Sequence, residues 1–229
     1  MGEARGGEGA SGAASPERAS PAESAPSSRP SQPVGTSRAL RIGAFGSEGS
    51  FTEEAAARYV EREGLEASLH PDPELASLFE RLESGALDRL CLPLANSIGG
   101  LVRGTLEELG RRRFRPLAQV ELPIRHALLV HRTLEDAGTL RAVASHPQAF
   151  LQCRRFLERR LPGVEHLERS DTASAARELA EGRLSAQTAV IASRRAARRF
   201  DLVALEHDVQ DALDNRTQFL ILEHGDEQS

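Results

Sequence analysis

Short apolar runs in this chain are followed by a Ser/Thr/Asn/Asp cluster and then by a helix-spaced stretch. The unit recurs about five times. The instances are RIGAF then GSEGSFTEE (41–54), LCLPL then ANSIGGLVRGTLEEL (90–109) and AVAS then HPQAFLQCRRFL (142–157). HLERS then DTASAARELA (166–180) and AVIAS then RRAARRF (189–200) complete the set. Each joint puts a helix N-terminus at the carboxyl end of a strand. Free N–H groups and the positive end of the helix dipole gather there, so each joint favours an anion. Several joints facing one crevice would bind a small molecule with more than one carboxylate.

Strand and helix candidates alternate, which argues for an α/β architecture with largely parallel strands. The pattern predicts strands at 40–45, 90–94, 117–121, 124–130, 141–144, 189–192 and 219–222. Helices are expected over 52–63, 75–84, 101–109, from 146, and over 173–181 and 194–199. Ser50 with Glu53 has capping-box spacing. Ser145 reads as the cap of the helix that follows it, with Pro147 in the first turn and Gln148 at capping-box spacing. Pro123 lacks the N–H a central strand needs, so the chain is expected to leave one lobe for another there. The last strand is expected to return to the first lobe, giving two lobes with a cleft between them. Lobe 1 is about 39–120 plus 205–222, and lobe 2 about 121–204.

Composition changes this picture at the ends. Residues 1–38 are Gly, Ala, Ser, Pro, Glu and Arg with few apolar side chains. Such a segment cannot offset its ordering entropy and reads as a disordered tail. It holds no secretory signal, and its acids argue against a transit peptide. Residues 223–229 read as a second tail. No stretch is apolar for long enough to span a membrane. The formal charge of −5 disfavours nucleic acid. Clusters such as Arg194-Arg195 read first as solvated helix faces, with phosphate contacts as the other reading.

Cys91 and Cys153 sit in core-like patterns. Two cysteines without a secretion signal point to a reducing, cytoplasmic setting and no disulfide framework. No Cys/His spacing suggests zinc. All 29 basic residues are Arg. The absence of Lys removes Schiff-base chemistry, a Lys general base and a P-loop.

Seven segments resemble the prephenate dehydratase family, in its order. GSEGSFTEEAA (46–56) is similar to the family's Gly-Pro-x-Gly-Thr-Phe-Ser opening. LPLANSIGGLVRGTLEEL (92–109) resembles its Pro-x-Glu-Asn-Ser-x-x-Gly segment, and LPIRHALLV (122–130) its Leu-x-Ile-x-His strand. ASHPQAFLQCRRFL (144–157) is close to Ser-His-Pro-Gln-Ala. SDTASAA (170–176) and IASRRAARRFDL (191–202) match in kind. DVQDALDNRTQF (208–219) resembles the closing Ile-x-Asp-x-x-x-Asn-x-Thr-Arg-Phe.

The resemblance covers about 40–222. It implies two α/β lobes of the periplasmic-binding-protein type II design, a homodimer, and conversion of prephenate to phenylpyruvate in phenylalanine biosynthesis. It implies no cofactor and no metal. Thr217 is implied as catalytic, donating a proton or strong hydrogen bond to the ring hydroxyl that leaves. Carboxylate binding is assigned to the helix-start groups Ser50, Asn96, Ser97, Ser145, His146, Asp171 and Thr172. Gln148, Asn215, Gln218 and Phe219 complete the expected substrate contacts. Each of these helix-start residues could equally be a plain N-cap. Asp171 would repel a dianion, so its expected task is to hold the turn. His146 could carry charge and pair with a carboxylate, or simply start a helix.

Three departures stand out. Ala95 replaces the Glu of Glu-Asn-Ser, Gln218 replaces the Arg of Thr-Arg-Phe, and Ser47 replaces a Pro. The lost Glu and Arg are either an ion pair that disappeared as a unit or two separate functional groups. A non-aromatising prephenate decarboxylase, an arogenate dehydratase and an inactive small-acid binding module are the competing functions. Many family members carry a C-terminal ACT domain that binds phenylalanine. This chain stops at Ser229, so no phenylalanine inhibition is expected from it.

Overall fold

The computed structural model describes residues 38–134 and 136–225. The tail expected at 1–38 falls, apart from Arg38, outside the described residues. The first sheet holds β1 (Leu40–Phe45), β2 (Ala67–Asp72), β3 (Arg89–Asn96), β4 (Gly100–Leu101), β5 (Phe114–Pro123) and β11 (Arg216–His224). Its order is β2-β1-β3-β11-β5, with β4 paired to β3. The second sheet holds β6 (His126–Val130), β7 (Ala142–Ser145), β8 (Glu165–Glu168), β9 (Thr188–Ser193) and β10 (Val203–His207), in the order β10-β6-β9-β7-β8. The chain crosses between the sheets twice, at 123–126 and 207–216. Two α/β lobes therefore face each other, the arrangement of the periplasmic-binding-protein type II fold.

The expectation of largely parallel strands needs correction. β1, β2 and β3 are parallel, as are β7, β8 and β9. β11 is antiparallel to both its neighbours, and β6 and β10 are antiparallel additions to the second sheet. These are the strands on either side of the crossings, where the chain reverses without an intervening helix. The boundaries shift accordingly. β5 reaches Pro123 in the first sheet, and β10 keeps residues 203–207 in the second. β11 absorbs Glu223 and His224, which read as tail from sequence.

Each lobe buries both faces of its sheet. Along β6, Ala127 and Leu129 enter one core while Leu128 and Val130 enter another. This is the period-two alternation of a strand covered on both sides. In the first lobe, α1 (Phe51–Arg62) sets Ala55, Ala56 and Tyr59 against Ile42 and Ala44. On the opposite face α2 (Leu75–Glu83) packs Leu78, Phe79 and Leu82 against Leu90 and Leu92. Gly43 lies under α2, and a Cβ there would come within 2.7 Å of Leu78, Leu87 and Leu90. Only glycine fits. The first lobe also holds α3 (Arg103–Leu109). In the second lobe, α4 (Pro147–Gln152) and α5 (Arg154–Arg160) cover one face. α6 (Thr172–Ala180) and α7 (Arg194–Arg199) cover the other. Burial of each large side chain among these contributes about 1.5–3 kcal/mol.

Candidate active site

Three helices with side-chain caps begin at the cleft between the lobes. Ser50 starts α1, and its Oγ accepts from Glu53 N at 3.2 Å. The reciprocal half of the expected capping box is displaced by one residue. The Glu53 carboxylate accepts from Gly49 N at 2.6 Å rather than from Ser50 N. Gly49 has φ +82, and a Cβ there would meet Ala196 Cα at 3.1 Å. The turn before α1 thus lies directly against the second lobe.

At the second start, the cap is His146 and not Ser145. His146 Nδ1 accepts from Gln148 N at 3.1 Å. Ser145 is fully buried and its Oγ donates to Ile191 O at 2.7 Å, tying β7 to β9. Ser-His-Pro offers two possible caps, and Ser145 is held in the sheet by its own strand. Since Nδ1 accepts, the ring proton of neutral His146 sits on Nε2.

The third start is Asp171, whose Oδ1 accepts from Ser174 N at 2.7 Å in a capping box with Ser174. Its Oδ2 accepts from Ser47 Oγ at 2.7 Å. This bond crosses the cleft, and Ser47 is one of the three departures from the family pattern. Ser193 Oγ donates to Gly49 O at 2.9 Å, and Arg195 pairs with Glu53 at 3.2 Å. The β1–α1 turn is therefore pinned to the second lobe at several points.

The cleft itself is a cavity of about 320 Å³ lined by groups from both lobes. Of the residues expected from sequence, Ser50, Asn96, His146, Gln148, Asp171, Thr172, Thr217 and Phe219 line it. Ser97, Ser145, Asn215 and Gln218 do not. Ser97 is exposed and pairs with Arg216 N at 3.0 Å. Asn215 is buried behind the cleft, and its Oδ1 accepts from Asn96 Nδ2 at 2.8 Å.

A bulge explains which strand residues face inward. In the β3–β11 pair, Gln218 opposes Ala95 and Phe219 opposes Pro93, so Leu94 is the extra residue. The bulge turns both Pro93 and Asn96 to the cleft. Thr217 and Phe219 face it from β11 by ordinary alternation. Ala95 and Gln218, the two other departures, are direct cross-strand partners and neither lines the cleft. Gln218 is exposed and opposes Glu121 on its other side.

Asn96 organises the corner of the cleft beside Thr217. Its Oδ1 accepts from Ile98 N at 3.0 Å and Gly99 N at 2.7 Å. Two backbone donors on one atom fix the amide orientation. Nδ2 then donates towards Asn215 Oδ1, Arg216 O at 3.1 Å and Thr217 Oγ1 at 2.9 Å. The Thr217 hydroxyl receives a hydrogen bond from Asn96, so its own proton is available to another acceptor.

Sequence reasoning did not single out His126, Gln152, Phe51 or Thr52, which also line the cleft. His126 is buried and meets Phe51 edge to face at 5.5 Å between centroids. Its Nε2 lies 2.8 Å from Gln152 Oε1, an acceptor, so Nε2 carries the proton. Nδ1 has no partner among the described residues. Burial pushes the His126 pKa below its ordinary value, and the Gln152 bond opposes this only in part. The signal was present in LPIRHALLV, but a His in an apolar strand reads as core until its neighbours are known.

The cysteines lie elsewhere. Both are free and buried. Burial pushes the Cys91 thiol pKa far up and that of Cys153 up to about 12, so neither is a thiolate near neutral pH.

Comparison with known proteins agrees with this geometry. The prephenate dehydratase family profile matches residues 42–227. The chain is 35% identical to arogenate dehydratase/prephenate dehydratase 2 of Arabidopsis thaliana over 186 residues, covering 80% of this chain and 46% of that protein. It is 34% identical to prephenate dehydratase of Amycolatopsis methanolica, covering 80% and 57% respectively. The chain thus spans about half the length of the curated relatives it matches. Among solved structures, prephenate dehydratase of Arthrobacter aurescens in complex with L-Phe superposes with TM-score 0.74 at 24% identity, covering 82% of this chain and 61% of that one. With its two lobes, its cleft and a match running through nearly all the described residues, the chain belongs to the prephenate dehydratase family.

Proposed function

We propose that this chain catalyses the decarboxylating dehydration of prephenate to phenylpyruvate, with Thr217 as the proton donor. The observation that carries this reading is the Asn96–Thr217 contact at 2.9 Å inside the cleft. In the reaction the bond from the ring to its carboxylate breaks, and its electron pair becomes part of the aromatic ring. The carbon–hydroxyl bond opposite breaks with it. One proton is consumed, and the hydroxyl leaves as water. Thr217 directs its hydrogen at that hydroxyl because Asn96 occupies an Oγ1 lone pair and polarises the O–H bond.

Among the described residues, no Arg lines the cleft. The substrate carboxylates are therefore held by neutral donors: the free N–H groups at the starts of α1 and α6, and His146 Nε2–H. Apolar walls from Phe45, Phe51, Val102, Ile124 and Phe219 strip water from the carboxylate that departs. Purified protein incubated with prephenate is expected to yield phenylpyruvate, and Thr217→Ala is expected to suppress it. Binding of prephenate without product would replace this reading with that of a binding module. A non-aromatic product would replace it with that of a decarboxylase.

A second substrate is favoured by one observation. Among the described residues, Asp171 is the single carboxylate lining the cleft. An ammonium group would be attracted to it where a keto acid would not. Arogenate, the amino-acid analogue, is therefore the competing substrate, and paired kcat/KM values for the two decide between them. A homodimer in the cytoplasm fits the family resemblance and the two free buried thiols. Light scattering of the purified protein tests the dimer.

A further inference from the structure

We propose that a groove on the reverse side of the interlobe linker is a second binding site, for a small dianion such as a phosphate ester or a dicarboxylate. The groove has a volume of about 430 Å³ and is separate from the cleft. Its walls come from both lobes. Glu54 and Arg58 face it from α1, and Arg194, Arg195 and Arg198 from α7. Pro123 and Arg125 supply the linker wall.

Charge points to an anion. Three of the five guanidinium groups have carboxylate partners: Arg58 with Glu54 at 2.8 Å, Arg194 with Asp208 at 2.8 Å and Arg195 with Glu53 at 3.2 Å. Arg125 and Arg198 have no ion-pair or hydrogen-bond partner among the described residues, and Arg125 is partly buried. A partly desolvated guanidinium with five donors and no acceptor is a poor arrangement unless an anion completes it. The two unpaired cations match two negative charges. From sequence, Arg194-Arg195 read first as a solvated helix face. Folding instead gathers this pair with arginines from α1 and the linker around one concavity.

Position suggests what occupancy does. The linker alternates, so Pro123 and Arg125 face the groove while Ile124 and His126 face the cleft. Phe51 lines both. An anion on Arg125 and Arg198 bridges the linker and the second lobe, and it acts on the same short segment that walls the cleft.

The test is calorimetric titration of the full chain with inorganic phosphate and, separately, malonate, at fixed ionic strength. One saturable site is expected for at least one probe, and the better probe identifies the source chemistry. Arg125→Ala and Arg198→Ala should each weaken it about tenfold or more, the loss of a charge-assisted hydrogen bond. Arg125→Lys should retain part of the affinity. Arg113→Ala, an equal loss of charge at an exposed site outside the groove, should leave it unchanged. Circular dichroism confirms that each variant is folded, and Arg198, being exposed, can be replaced without disturbing the core. No saturable binding of either probe overturns the proposal. So does binding that survives Arg125→Ala/Arg198→Ala, or falls equally in Arg113→Ala. No turnover is measured, so the outcome is independent of the reaction assigned to the cleft.

Discussion

Asn96→Asp is the sharpest test of the reactive corner, because it changes one atom and keeps the shape. The retained Oδ1 still accepts from Ile98 N and Gly99 N, so the turn after β3 stays in place. The other atom changes from a donor to an acceptor. It now faces Asn215 Oδ1, Arg216 O and Thr217 Oγ1, all oxygens. The Thr217 hydroxyl can relieve this conflict by donating its proton to the new carboxylate. That withdraws the proton from the substrate. Loss of a positioned proton donor costs about 10²–10⁴ in rate, or about 3–5 kcal/mol in the barrier. The added negative charge, in a cleft lined by no Arg among the described residues, should also raise KM. The two effects separate in a double-mutant cycle with Thr217→Ala. If Asn96 acts through Thr217, Asn96→Asp lowers kcat strongly in the wild-type background. In the Thr217→Ala background it then leaves kcat nearly unchanged, and only KM rises. Steady-state phenylpyruvate formation by the four proteins measures this. An equal, additive loss of kcat in both backgrounds would refute the coupling, as would Asn96→Asp with wild-type kcat.

Restoring Glu at position 95 together with Arg at 218 should add an exposed cross-strand pair worth about 0–1 kcal/mol, with kcat changed less than about threefold. Thermal melting and kinetics check both, and a large gain in kcat would show that these positions serve the reaction. Ser47→Ala removes a charge-assisted bond to Asp171 between the lobes, with an expected loss of about 1–3 kcal/mol. Urea unfolding measures that loss, and small-angle scattering should show a more open cleft. Burial disfavours protonation of His126 in the folded state, whereas the ring protonates near pH 6.5 in the unfolded chain. Its contribution to stability is therefore complete above pH 6.5. It is lost as pH falls, by up to about 1.4 kcal/mol per unit. His70 is also shifted down, by partial burial and by Arg81 and Arg41. The difference between wild type and His126→Gln therefore isolates the buried ring, and equal slopes in the two would exclude it as the source.

Much of the fold is legible in the chain because each strand–cap–helix joint carries its own local signal. Ser50 and Asp171 cap the helices they were expected to cap, each accepting from the backbone N–H three residues on. The signal fails where two candidates are adjacent, as at Ser145-His146, because local propensity does not record that Ser145 is engaged by Ile191. It also fails at the edges. β2 (ASLHPD) and β10 (VALEH) mix polar residues and a proline into short segments, and each gains its strand character from one neighbour. Contacts over long separations are not legible at all. Asn96 meets Thr217 across 121 positions, and Ser47 meets Asp171 across 124.

The departures from the family pattern illustrate what the register adds. In sequence, Ala95 adjoins Asn96 and Gln218 adjoins Thr217, so both seem to damage the reactive motif. In the sheet, neighbours along a strand point to opposite faces. The register pairs Asn96 with Thr217 on the cleft and Ala95 with Gln218 away from it. A motif written along the chain therefore merges two faces with different tasks. Substitution on the other face changes a half-buried and an exposed side chain, whereas the cleft face keeps its hydroxyl and its amide. Ser47 departs in the other direction, since its hydroxyl reaches across the cleft to Asp171 where a proline could donate nothing. The chain has thus lost polar groups outside the cleft and gained one that draws the lobes together. That pattern favours a retained reaction over a decayed site.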